Sequence, residues 1–268
     1  TFDEADSVLG FSPSKRCFEG PAEDLGFTSN QQPAILTTSV ALFRLLSERP
    51  DLSAGHSLGE YSAHVAAGAL ALDAAVRLVR ARGDAMQAAV PAGQGAMAAV
   101  LKLDRAVLEE ICRSTPGIVE PVNYNSPGQI VIAGEAAAVA LASEKVAAAG
   151  GRALPLPVSA PFHSRLMKPA EEAFRPHLSA VAMSAPAWPI WCNVDAAPVT
   201  TAEAARDALA RQVARPVRWD ESVLGMVEAG VTLFVEIGTG NALAGMIKRT
   251  TEKAVTVGVQ GPGDVRAA

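Results

Sequence analysis

Apolar positions along the chain switch repeatedly between two periods. Ile35, Leu36, Val40, Phe43 and Leu46 recur at the three-to-four spacing of one helix face, which predicts a core helix over residues 34–48, closed by Pro50. The same spacing predicts helices over 60–67 and over 74–90, the second with Asp73 as its cap and Pro91 as its stop. From Gly95 the texture changes: a strand over 96–101, a helix over 105–112, a turn at 123–127, a strand over 128–134, an Ala-rich helix over 136–149 and a strand over 152–158 broken by Pro155 and Pro157. The last third predicts strands over 188–194, 231–237 and 254–259, with helices over 201–214, 219–229 and on to Arg249. Residues 1–30, punctuated by Gly10, Pro13, Gly20, Pro21 and Gly26, read as short helical pieces and loops.

Alternating strands and helices with short links predict an α/β core, a parallel sheet covered by helices on both faces. Strand–helix–strand–helix–strand within residues 95–161 predicts a small inserted α+β subdomain of the split-βαβ, ferredoxin-like kind. Residues 1–94 and 162–268 are expected to form the large subdomain around it.

One stretch carries obvious chemistry. Asp51–Ala54 is extended, Gly55-His-Ser-Leu-Gly59 follows, and an Ala-rich helix begins at Glu60. This is Gly-x-Ser-x-Gly between a strand and a helix, the context of a nucleophile elbow, in which a strained turn pushes the serine hydroxyl out at the carboxyl end of a sheet. Ser57 is the candidate nucleophile. Most chance matches to five residues are surface loops; the flanking strand and helix are what favour the elbow.

On a wheel of about 100° per residue, Leu78, Val79, Met86, Ala89 and Val90 share one side of the 74–90 helix, and Arg77, Arg80 and Asp84 the other. Arg82 falls in the middle of the apolar side. A guanidinium there cannot lose its proton and must meet an anion. A structural carboxylate, or a stem that snorkels to the rim, is one reading; a fixed fork for a substrate carboxylate is the other. The spacing leaves both open. Of the four histidines, His56 lies beside the nucleophile, His64 two turns along its helix and His177 near a helix end, where structural or solvent roles are expected. His163, in the loop Val158-Ser-Ala-Pro-Phe-His-Ser164, is by elimination the candidate base for Ser57. The loop Gly238-Thr-Gly240 lacks the P-loop lysine and reads as a tight strand-to-helix turn.

Composition removes other classes. At 49% hydrophobic the 268 residues can bury a large core. A net charge of -5 and the absence of a long basic run argue against nucleic-acid binding. Cys17, Cys112 and Cys192 are odd in number and far apart, suggesting neither a disulfide framework nor a zinc site, and no metal is expected. No charged-then-apolar segment opens the sequence and no apolar run is long enough for a bilayer, so no membrane association and a cytoplasmic location are expected.

Gly55-His-Ser-Leu-Gly-Glu-Tyr-Ser-Ala63, Arg82 placed 25 residues after Ser57, Asn123-Tyr-Asn-Ser-Pro-Gly-Gln129 and Pro155-Leu-Pro-Val-Ser-Ala-Pro-Phe-His163 together resemble the malonyl-CoA:acyl-carrier-protein transacylases, relatives of the acyltransferase domains of polyketide synthases. The resemblance runs to about Val259. It implies an α/β-hydrolase-like core with a Ser57–His163 dyad, the backbone carbonyl of Gln212 orienting the histidine, and the N–H of Leu58 as an oxyanion donor. It further implies Arg82 as the holder of the malonyl carboxylate and Phe162 as a residue favouring malonyl over methylmalonyl, with core packing the simpler reading of Phe162. Asn125 and Asn193 occupy motif positions near the substrate site. The implied substrates are a coenzyme A thioester and acyl carrier protein, with no cofactor, in a monomer. Arg152, Lys248 and Arg249 are candidate contacts for an acidic carrier, against the plainer reading of a solvated positive face.

The family also begins with a buried strand running into Gly-Gln-Gly-Ser-Gln, whose glutamine N–H is the second oxyanion donor. That motif does not occur in these residues, and residues 48–54 are a few positions short. Two other readings therefore stand beside transfer: a serine thioesterase or esterase on the same elbow, which would need a carboxylate behind His163, and a non-catalytic binding partner in a synthase assembly.

Overall fold

A computed structural model describes residues 1–158 and 160–266; Ser159, within the histidine loop, lies outside them. The chain opens with helices α1 (Phe2–Leu9), α2 (Pro13–Phe18) and α3 (Thr28–Phe43), then strand β1 (Ser53–Ala54) and helices α4 (Leu58–Ala66) and α5 (Leu72–Ala88). The middle is β2 (Gly95–Leu101), α6 (Arg105–Ser114), β3 (Val119–Ser126), β4 (Gln129–Glu135), α7 (Ala136–Ala148) and β5 (Arg152–Pro155). The rest is α8 (Lys168–Ala180), β6 (Ile190–Cys192), β7 (Ala197–Val199), α9 (Ala202–Gln212), β8 (Val217–Arg218), α10 (Trp219–Glu228), β9 (Leu233–Ile237), α11 (Ala242–Thr250) and β10 (Val255–Val259).

The fold is α/β. β1 runs parallel to β6 and β9 parallel to β10, while β7 closes antiparallel on β6. Among the described residues, β1 and β9 each have a strand neighbour on one side only. The middle segment forms an antiparallel sheet in the order β5-β2-β4-β3, to which β8, from beyond residue 161, adds a parallel edge beside β3. Helices α3, α4, α5, α8 and α9 share one core through Leu36, Val40, Tyr61, Val76, Leu78, Val79, Phe174 and Leu209. Each such fully buried side chain contributes roughly 1.5–3 kcal/mol.

Four expectations change. The core helix begins at Thr28 and ends at Phe43 instead of covering 34–48. Pro33 sits inside it, where the missing N–H removes a single early hydrogen bond, and beyond Phe43 the chain leaves in tight turns. Asp73 is the second residue of α5, not its cap, and its carboxylate pairs with Arg77 at 2.5 Å. The turn expected at 123–127 is mostly the end of β3; only Pro127 and Gly128 turn, with Gly128 at φ 72°. Bulges between Pro121 and Asn123 and between Tyr124 and Ser126 let β3 keep those residues while burying Val119, Val122 and Tyr124. The strand expected over 152–158 stops at Pro155.

No helix among the described residues is long and apolar enough to cross a membrane.

Candidate active site

β1 and β6 end together, with Ala54 beside Trp191, so the turn after β1 meets the residues just past β6. There Asn193, fully buried, accepts from the Ser57 N–H at 2.6 Å and donates from its Nδ2 to the Gly55 carbonyl at 2.7 Å. Gly55 cannot be anything larger: a Cβ would lie 2.0 Å from the backbone of Gly59. Ser57 itself holds φ 51° and ψ −103°, a sparsely populated conformation costing about 1–3 kcal/mol, and the surrounding bonds maintain it. The hydroxyl is thereby presented at the amino end of α4. Leu58 is the first helical residue, so its N–H has no acceptor within the helix and is free to face a developing oxyanion.

His163 reaches Ser57 from the turn that follows β5 and precedes α8. Its φ of 63° is maintained by a tight turn in which Phe162 N–H donates to Ala160 and the Ser164 hydroxyl to Pro161. Nε2 lies 2.8 Å from Ser57 Oγ and Nδ1 lies 2.8 Å from the carbonyl of Gln212. A carbonyl only accepts, so Nδ1 carries the proton and Nε2 offers its lone pair to the serine. Burial, with the Arg82 charge adding to it, pushes the imidazole down to about 3, which keeps it a neutral base.

Arg82 projects from the apolar face of α5 and is 2% exposed. Nη2 donates to Ser57 Oγ at 3.0 Å and to Gln212 Oε1 at 3.0 Å, Nη1 donates to Gln32 Oε1 at 2.8 Å, and the guanidinium lies over the Tyr61 ring at 5.5 Å. Gln32 comes within reach because Gly83 lets α3 and α5 touch; a Cβ there would stand 2.8 Å from the Ser29 Cα. Among the described residues no carboxylate pairs with Arg82 and its Nε has no hydrogen-bond partner.

The remaining sequence candidates lie around this centre. Asn125, on β3, binds His56 Nε2 at 2.8 Å through Oδ1, tying the antiparallel sheet to the nucleophile turn. Asn193 joins the elbow at both ends of its amide, and its Oδ1 also accepts from Gln212 Nε2 at 3.4 Å. Phe162 is half-buried between the helical core and the face of the antiparallel sheet that carries Met97 and Val131. Reasoning from sequence missed Gln32 and Glu60. Glu60 is fully buried, and burial pushes its carboxyl up to about 7. Beyond the turn Gly238–Gly240, the Glu236 carboxylate already accepts from the N–H groups of the second and third residues of α11, Leu243 and Ala244. No cluster of three metal-ligating side chains occurs among the described residues.

A serine hydroxyl held by a neutral imidazole, beside a buried cation lacking an anion, can form and break an acyl ester whose acyl group bears a negative charge. The comparisons agree with that chemistry. The profile of the Acyl transferase domain family matches residues 4–261. The malonyl CoA-acyl carrier protein transacylase of Bacillus subtilis (strain 168) is 45% identical over 274 residues, covering 100% of this chain and 86% of that protein. Its counterpart from Escherichia coli (strain K12) is 46% identical, covering 100% and 89%. A malonyl-transacylase solved in complex with a type II PKS acyl-carrier protein superposes with a TM-score of 0.97 at 44% identity, covering 100% of this chain and 89% of that one. The chain belongs to the acyl transferase domain family, alongside the malonyl CoA-acyl carrier protein transacylases.

Proposed function

We propose that the protein moves a malonyl group from malonyl-CoA to the phosphopantetheine thiol of an acyl carrier protein through an ester on Ser57. His163 Nε2 takes the hydroxyl proton as Oγ attacks the thioester carbonyl; the oxyanion faces the Leu58 N–H; the C–S bond breaks, and the imidazolium returns its proton to the departing thiolate of coenzyme A. The carrier thiol then gives its proton to His163 and attacks the ester, and Ser57 leaves with that proton. The Gln212 carbonyl keeps His163 in the required tautomer. Arg82 binds the free carboxylate of the malonyl group. Phe162 crowds an α-methyl substituent, while Asn125 and Asn193 hold the turn. The scheme uses no cofactor and no metal.

The single observation that carries this reading is Arg82: a buried guanidinium 3.0 Å from the nucleophile, unpaired with any described carboxylate. A hydrolase on the same elbow would not need that cation, and would place a carboxylate behind His163 where a carbonyl stands. We place the protein in the cytoplasm as a monomer, serving fatty-acid or polyketide synthesis, with residues 95–161 as a small subdomain on the large one. The exposed Arg152, Lys248 and Arg249 suit an acidic carrier, although Arg249 also bonds Ser126 and Gln129.

The test is mass measurement of intact protein after incubation with malonyl-CoA. A malonyl adduct that Ser57→Ala abolishes is expected. Release of free malonate without an adduct would mean hydrolysis, and a folded protein that never acylates would mean a binding role.

A further inference from the structure

Gln212 closes α9 and is fully buried, and every polar atom of its side chain is used. Nε2 donates to Glu60 Oε2 at 2.7 Å and to the Ser57 carbonyl at 2.8 Å, while Oε1 accepts from Arg82 Nη2 at 3.0 Å. Its main-chain carbonyl meanwhile holds His163. Neighbours dictate which way this amide faces. A carboxylate and a carbonyl accept, so they require the NH₂ group; a guanidinium only donates, so it requires Oε1. Turned over, the amide would set NH₂ against the cation and its oxygen against Glu60 Oε2 and the Ser57 carbonyl.

Glu60 Oε2 is one of the two acceptors in that choice. Glu60 is the third residue of α4, and its Oε2 also accepts from the Asn193 N–H at 3.0 Å, while Oε1 has no partner among the described residues. Glu60 therefore fixes the amide through Gln212 Nε2, the amide fixes Arg82 Nη2, and the same Nη2 touches Ser57 Oγ. Gln32 holds only the other terminal nitrogen, Nη1.

We propose that Glu60 and the side-chain amide of Gln212 are positioning residues for substrate choice: they aim the Arg82 guanidinium beside Ser57 so that an acyl group bearing a carboxylate is preferred over one without. The assignment rests on the malonyl-transfer reading. A relay of this kind acts on one class of acyl group, because an acyl group without a carboxylate makes no contact with the guanidinium. Damage to the elbow or to packing would instead slow every acyl group alike.

The experiment measures kcat/KM for acylation of Ser57 by malonyl-CoA and by acetyl-CoA, in the parent chain and in Glu60→Leu, Glu60→Gln and Gln212→Glu, with folding followed by circular dichroism. In Glu60→Leu the malonyl-to-acetyl ratio is expected to fall about tenfold or more. Glu60→Gln, which can still accept from Gln212, is expected to restore most of it. Gln212→Glu changes no volume but gives Arg82 an internal carboxylate, and its ratio is expected to fall further, by about 100-fold. If Glu60→Leu does not fold, the isosteric pair decides. An unmoved ratio in folded Gln212→Glu, or equal losses for both substrates in all variants, overturns the assignment while the parent's malonyl adduct still supports transfer. A parent chain that forms no malonyl adduct overturns transfer and with it this inference.

Discussion

Removing the charge at position 82 should convert a carboxylate-selective acyltransferase into an indifferent one. Arg82→Met keeps the unbranched stem on the apolar face of α5, where Leu78, Val79 and Met86 surround it, and deletes the guanidinium. On the proposed reading, a malonyl carboxylate in the parent would gain hydrogen bonds from a desolvated cation whose Nε has no partner among the described residues. Hydrogen bonds to charged groups contribute about 1.5–3 kcal/mol each. Two of them give about 3–6 kcal/mol, so kcat/KM for malonyl-CoA should fall by about 10²–10⁴ at ~1.4 kcal/mol per tenfold. An acetyl group makes no such bonds and leaves the cation unpaired, so reaction with acetyl-CoA should persist or improve. The variant also leaves the side-chain oxygens of Gln32 and Gln212 without their donor. At about 1–3 kcal/mol for each unsatisfied acceptor, stability should drop measurably, which thermal unfolding monitors separately. The assay is stopped-flow or quenched acylation of Ser57 with each thioester. A folded Arg82→Met whose malonyl-to-acetyl ratio stays within tenfold of the parent would refute the clamp.

Two further outcomes follow from the local geometry. Gly55→Ala should fail to fold or should lose the elbow, because its methyl would meet the Gly59 backbone at 2.0 Å, whereas Gly59→Ala meets nothing within 4 Å and should retain parental stability; denaturant melts of the pair check this, and equal destabilisation would count against it. His64 is fully buried with neither ring nitrogen bonded, and burial pushes it down to about 4. The unfolded chain takes up that proton near pH 6.5 and the folded one only near 4, so stability is lost as pH falls through this window, by roughly 2–3 kcal/mol at pH 4.5. Glu60, raised to about 7, acts in the opposite sense: its contribution is lost as pH rises from the ordinary carboxylate range to 7. Urea melts of His64→Gln and the parent at pH 7 and pH 4.5 isolate the histidine; a difference between them that does not change with pH would sink the prediction.

Much of the fold was legible because its signals are local. The elbow is a five-residue pattern between a strand and a helix, and Arg82 stands out as a charge on the apolar face of a periodic helix. β3 was hidden because Pro121, Asn123 and Asn125 are poor strand formers, and pairing with β4 across two bulges, with β8 alongside at Asn123, retains them. Gln32 was hidden for a related reason. It precedes Pro33, a residue that usually marks a boundary, yet the helix runs through both and brings Gln32 against Arg82, 50 positions away. Glu60 had a signal that could have been read: with Ala63, His64 and Ala67 it forms an i, i+3, i+4, i+7 stripe, all four buried. A carboxylate on such a stripe calls for the question asked of Arg82. Its answer, the Gln212 amide, lies 152 residues on, and no spacing rule connects them.

If Arg82 holds the malonyl carboxylate as proposed, selection acts on the chemistry and not on binding alone. The same guanidinium that would hold the substrate carboxylate lowers the proton affinity of His163, second only to burial among the causes of its shift. A malonyl carboxylate seated on Arg82 would offset that charge, so the imidazole would become a stronger base once the correct acyl group is bound. An acetyl group brings no anion and leaves His163 a weak base beside an unpaired cation. Discrimination then enters twice, once in the hydrogen bonds to the carboxylate and once in the proton transfer from Ser57. On this argument Arg82→Met should raise the apparent pKa of His163 toward the ordinary range, and kcat with acetyl-CoA should rise together with the acid limb of its pH profile. A variant in which acetyl kcat rises while the acid limb stays where it was would separate the two effects and leave only the binding contribution standing.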